Sequence, residues 1–236
     1  MNRKNNSLAD SKTVAHPVLF KPLTVHASLC HKLMVTPQAK NQQLGQTTKT
    51  WLKEEAVAQV LGLRNTVVTK HIAKGLACEN KSIDLYNRVM RTNYTKNYDT
   101  REEHGFRGTP DLLTNDGIVE IKTSWDATTF PFFKDDLDKR IKKAGYHWQC
   151  RVYMMLFGIS RAVVCYCLVD TPEGEMFLNK WDNLSLHRFD GKVAEQKRIS
   201  VSEVIHRDAA IEQKMLDQYA LANNYYQSYL KEIYNK

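Results

Sequence analysis

The stretch from Pro110 to Lys122, Pro-Asp-Leu-Leu-Thr-Asn-Asp-Gly-Ile-Val-Glu-Ile-Lys, constrains the fold more than any other part of the chain. Two short extended segments flank Asn115-Asp116-Gly117, and an Asp-Gly pair between such segments is a strong hairpin signal. Side chains alternate along a strand, so Glu120 and Lys122 share one face while Ile121 points to the other. A two-residue Asp116-Gly117 turn pairs Asn115 with Ile118 and sets Asp111 opposite Lys122. Asp111 is then diagonal to Glu120, about 7–8 Å away at Cα. A three-residue loop would turn Asp111 to the wrong face unless a bulge corrected it.

Two carboxylates at that separation can share one hard cation. A magnesium ion held by Asp111, Glu120, the Ile121 carbonyl and waters could bind a phosphate oxygen and acidify a water, and Mn2+ could substitute for it. The Lys122 ammonium beside it could orient the attacking water and stabilise charge on the phosphate. Phosphodiester hydrolysis needs this chemistry. The Asp-x8-Glu-x-Lys spacing is short, however, and an exposed hairpin of mixed charge satisfies it equally. Thr123 and Ser124 follow directly, either as donors to phosphate oxygens or as the end of the strand.

The remaining patterns predict one α/β domain over residues 17–236, preceded by a flexible polar tail, residues 1–16. Apolar spacing gives a helix from Lys49 to Leu61, stopped by Gly62, and a second from Val67 to Met90 in which Gly75 could mark a break. Lys134–Lys143 reads as a charged loop. A helix then carries Tyr146 to Phe157 and ends at Gly158. Ala162–Asp170 is a buried strand closed by Thr171-Pro172, with weaker strands at Leu186–Asp190 and Lys197–Val201. A long amphipathic helix runs from Ser202, as N-cap, to about Tyr229.

Five scattered cysteines among apolar residues argue for core packing in a reducing cytoplasm rather than a disulfide framework. Met1–Thr13 lacks an apolar leader segment, and no apolar run is long enough to cross a bilayer. A formal charge of +8 suits a polyanionic partner without requiring one. The basic run Lys134, Lys139, Arg140, Lys142 and Lys143 is either a solvated loop or a contact to a nucleic-acid backbone. His71, His104 and His147 show no zinc spacing.

Pro110-Asp111…Glu120-Ile121-Lys122 resembles the signature of the PD-(D/E)XK nuclease superfamily. Gln149-Cys150-Arg151-Val152-Tyr153 resembles the Gln-x3-Tyr motif of its exonuclease branch, and residues four apart share a helix face. Further elements, in the same order, resemble the lambda-phage exonucleases and YqaJ-type viral recombinases. They are His26-Ala27-Ser28, Gly75-x3-Glu79-Asn80, Tyr146-x2-Gln149 and Val169-Asp170-Thr171-Pro172. The resemblance spans roughly Val25 to the final helix.

It implies a restriction-endonuclease-like core, a central mixed β-sheet flanked by helices. It implies that Glu79 supports the metal centre, that Gln149 orients water or substrate, and that Ser28 and Tyr153 lie near the substrate. The activity implied is 5′→3′ resection of linear double-stranded DNA by a phage- or prophage-encoded enzyme in a bacterial host. Partners implied are a single-strand annealing protein and further copies of the chain in a homotrimer. Lys32 or Arg64 could replace an arginine that contacts the 5′-phosphate in that family, and Trp125 with Thr128–Phe133 looks particular to a phage subfamily. An endonuclease on the same core and a non-catalytic DNA-binding recombination protein are the alternatives.

Overall fold

The computed structural model describes residues 20–64 and 67–236; the expected tail, residues 1–16, lies outside the described residues. In chain order the elements are β1 (Val25–His26), a 3-10 turn (Ala27–Leu29), α1 (Cys30–Leu33), α2 (Gln46–Leu61) and α3 (Lys70–Met90). Then come β2 (Arg101–Glu103), β3 (Phe106–Gly108), β4 (Leu112–Thr114), β5 (Gly117–Thr123), α4 (Lys134–Ala144) and α5 (Tyr146–Phe157). The chain ends with β6 (Arg161–Cys167), 3-10 turns at Leu184–His187 and Glu195–Lys197, β7 (Ile199–Val201), β8 (Ile205–His206) and α6 (Ala209–Tyr234).

The main sheet has the order β4-β5-β6-β7, and β8 also pairs with β6. β5 and β6 run parallel and the other pairs antiparallel, which makes the sheet mixed, as expected. A smaller sheet of order β1-β3-β2 accompanies it.

Strands β5 and β6 are buried almost throughout, because helices cover both of their faces. Ile118, Ala162, Val164 and Tyr166 join Cys150, Val152, Tyr153 and Met154 of α5 in one core cluster. Val119, Ile121, Cys165 and Cys167 join Cys78, Ile83, Leu85 and Tyr86 of α3 in another. The two-residue period sorts the strand residues between two helical layers, and each fully buried aliphatic chain contributes about 1.5–3 kcal/mol. All five cysteines are free and buried, in the packing role their setting suggested.

The hairpin departs from its expected register by two residues. Thr114 pairs with Gly117 and Leu112 with Val119, so Asn115-Asp116, not Asp116-Gly117, forms the turn. Neither turn residue has a positive φ. Gly117 is required for another reason. Its φ is +143°, and a Cβ there would lie 2.6 Å from the Arg161 carbonyl oxygen of β6. The glycine marks a close approach of two strands.

Three other expectations need correction. Lys134–Lys143 is the helix α4: Leu137 and Ile141 give it a buried stripe, acids open it, Lys142 and Lys143 close it, and Lys139 pairs with Asp135. Leu186–Asp190 is no strand, because the Asp170 carboxylate takes the Phe189 and Asp190 N–H groups at 2.6 and 3.1 Å. The final helix starts at Asp208, whose side chain caps Ala210 and Ile211, while Ser202 accepts the Val164 N–H at 3.0 Å. Gly75 leaves α3 unbroken from its Thr69 cap to Met90.

Replacing Gly117 by alanine is expected to cost about 1–3 kcal/mol, through strained backbone and the clash with Arg161. Urea denaturation measures this; an unchanged midpoint would contradict the close strand approach.

Candidate active site

Glu120 is the centre of the site. It lies near the middle of β5, 2% exposed, on the face covered by α5. One of its oxygens, Oε1, accepts from Lys122 Nζ at 2.6 Å and from Gln149 Nε2 at 2.7 Å. Gln149 Nε2 also reaches the Tyr153 hydroxyl at 2.7 Å, so one turn of α5 is tied to β5 through a single amide. Helical spacing brings Gln149 and Tyr153 together, and strand alternation brings Glu120 and Lys122 together. The other oxygen, Glu120 Oε2, is buried without a hydrogen-bond partner among the described residues.

Asp111 sits just before β4. The ladder Leu112↔Val119, carried one step further, places it across from Glu120 rather than from Lys122. Its Oδ2 accepts the Ile121 N–H at 2.7 Å. In a strand the N–H and C=O of one residue point to the same side. The Ile121 carbonyl therefore also faces the edge where β4 has ended, beside Asp111.

Burial, and next the nearby Glu120 charge, push the Asp111 carboxyl up to about 8, against the opposing pull of Lys122 and the Ile121 N–H. Lys122 moves above the ordinary lysine range: burial works against its charge, but Glu120, Tyr146 and Asp111 outweigh that effect. Its ammonium also lies 4.4 Å from the centre of the Tyr146 ring.

Glu79 approaches from α3 and pairs with Lys96. Among the described residues, no three His, Cys, Asp or Glu side chains form a ready metal cage. Asp111, Glu120 and the Ile121 carbonyl nonetheless suit a hard cation. They are oxygen donors at one edge, and one buried carboxylate oxygen is unpartnered.

Other predicted residues scatter. Thr123 turns to the α3 face, where its hydroxyl meets Ser82 at 2.8 Å, so it does not share the Glu120 face. Ser124 is 3% exposed and its hydroxyl has no partner among the described residues. Ser28 is exposed in the 3-10 turn against α5, its carbonyl accepting from His31 at 2.9 Å when Nδ1 carries the proton. Arg64 is clamped by both Glu55 oxygens at 2.7 and 2.9 Å, and Lys32 lines the same groove. His71 packs on Trp125, and His104 pairs with Glu103. Lys96 and the contact of Tyr146 with Lys122 escaped the sequence reading. Lys96 lies in a segment without periodicity, and the Tyr146 contact depends on where α5 begins.

No family model and no curated protein matches this chain. Solved structures do. A phage-related exonuclease from Haemophilus somnus 129PT is similar over 90% of this chain and 97% of its own, with a TM-score of 0.83 and 27% identity. The expected resemblance to phage-type PD-(D/E)XK exonucleases holds. An alkaline exonuclease from Laribacter hongkongensis shares the fold at 14% identity and a TM-score of 0.59, covering 90% of this chain and 92% of its own. Its complex with dAMP has a TM-score of 0.58, again at 14% identity, covering 89% of this chain and 91% of its own.

Because Asp111 keeps its proton in the folded state well above its unfolded pKa of 3.8, its ionisation opposes folding as pH rises from about 4 to about 8. Asp111→Asn is expected to stabilise the metal-free protein by roughly 0.5–2 kcal/mol near pH 8. The gap should widen from pH 6 to 8 and then level. Chemical denaturation in EDTA across pH 6–9 checks this, and a destabilised variant would refute it.

Proposed function

We propose that this protein is a magnesium-dependent deoxyribonuclease that degrades linear double-stranded DNA from its ends, in the 5′ to 3′ direction, in phage-type recombination. The observation that carries the reading is the convergence of Asp111, Glu120 and Lys122, with Glu120 Oε2 left open, at the edge of β5 in an exonuclease fold. Asp111, Glu120 and the Ile121 carbonyl would hold the ion, which supplies a Lewis acid for a phosphate oxygen and lowers the pKa of water.

The chain's own residues do the rest. Gln149 holds Glu120 Oε1 from α5, which restrains the carboxylate and leaves its buried second oxygen without a partner among the described residues. Lys122 holds three donors beside the same carboxylate, where it can position a water and stabilise charge on the phosphate in the transition state. The Tyr146 ring confines that ammonium from another side. Ser28 and Ser124 are the hydroxyls left as candidate phosphate contacts. A single-strand annealing protein, a homotrimer and a bacterial cytoplasm belong to the same proposal. Among the described residues no helix is long and apolar enough to cross a membrane.

Lys122→Ala and Glu120→Gln are each expected to lower the rate about 100-fold or more while the protein stays folded. End-labelled linear DNA with 5′-phosphate or 5′-hydroxyl termini, set against a covalently closed circle, reads mode and direction together. Comparable cutting of the circle would refute end-directed hydrolysis, and DNA binding without degradation in Mg2+ or Mn2+ would refute catalysis.

Uptake of Mg2+ by Asp111 must displace its proton below about pH 8, so apparent affinity should fall as pH falls through that value. Calorimetry in buffers of different ionisation enthalpy should detect one proton released near pH 7. No release would contradict the role given to Asp111.

A further inference from the structure

We propose that the Lys96 ammonium occupies the place of a second divalent cation, so that this centre binds one ion per chain. The inference rests on the metal-centre reading above.

Asp111 lies within electrostatic reach of Glu120 and Glu79, and each of those two already faces an ammonium: Glu120 with Lys122, and Glu79 with Lys96. The two pairs differ in what they leave behind. Lys122 and Gln149 both use Glu120 Oε1, so Oε2 stays buried, unpartnered and open to an ion. Glu79 has its charge opposed by Lys96, while Asp111 lacks an ammonium of its own. One formal negative charge remains over the five side chains. A single divalent ion at Asp111 and Glu120 reverses it modestly, whereas a second would have to enter beside Lys96 against like charge.

Lys96 is also not a loose surface lysine. The segment carrying it is fastened at both ends. Asn87 accepts the Tyr94 N–H and donates to the Tyr94 carbonyl on one side. On the other, the Asn97 N–H donates to the Asp111 carbonyl at 2.8 Å and its side chain to the Pro110 carbonyl at 3.0 Å. The ammonium lies 5.5 Å from the centre of the Tyr98 ring. The backbone that places Asp111 thus also places Lys96. A cation built into the chain holds this position regardless of the ionic conditions, whereas a second Mg2+ would come and go with concentration.

Mn2+ titration of the full chain at pH 8, followed by calorimetry and by electron paramagnetic resonance of the free ion, counts the sites. The expected count is one for the wild type and one for Lys96→Arg, which keeps the charge. Lys96→Met should gain a second ion, and adding Glu79→Gln to it should return the count to one. Glu79→Gln alone should leave one. Two ions in the wild type, dropping to one in Glu79→Gln, would overturn the proposal without need of the Lys96→Met protein. A single ion in folded Lys96→Met would overturn it as well. No bound ion in the wild type would instead overturn the metal-centre reading, and this inference with it.

Discussion

The site depends on one carboxylate oxygen taking two donors. Glu120 is nearly inaccessible in the middle of a buried sheet, a position that is costly for a charge unless partners compensate it. Lys122 supplies the opposite charge from the same strand, and Gln149 supplies a neutral donor from α5. The parallel pairing of β5 with β6 requires a crossover, and that crossover is α4 and α5. The connection that completes the sheet therefore also delivers the residue that orients the central acid. A break in α5 would disturb both.

Much of this was legible in the chain because the relevant periods are short. The alternation of Glu120, Ile121 and Lys122 survived an error in the turn: a register shifted by two residues leaves every side chain on its face. Gln149 and Tyr153 follow from helical spacing in the same way. Of the two readings open for Thr123, it meets the second: it ends β5, and its place next to Lys122 in sequence puts it on the opposite face, against Ser82. The role proposed for Glu79 rests on family resemblance alone, because nothing in the pattern of α3 distinguishes it from a solvated acid.

The misread segments share a cause. The charge of α4 conceals a narrow apolar stripe of Leu137 and Ile141, so its sequence reads as a loop. Between Leu186 and Asp190, and at the start of α6, the decisive groups were aspartate side chains capping backbone N–H groups. Lys96 belongs to a stretch with neither period nor regular structure, held by asparagine side chains. Such long-range placements depend on contacts that a local pattern does not encode.

Strand β5 is a wall with different rooms on its two sides. Val119, Ile121 and Thr123 lean on α3, whereas Glu120 and Lys122 share the face that meets Gln149 of α5. Natural variation along these few positions should therefore alternate in kind. Changes at one set would be tolerated as long as volume is kept, and changes at the other as long as charge and reach are kept. Two separate histories of selection would be interleaved in one stretch of seven residues.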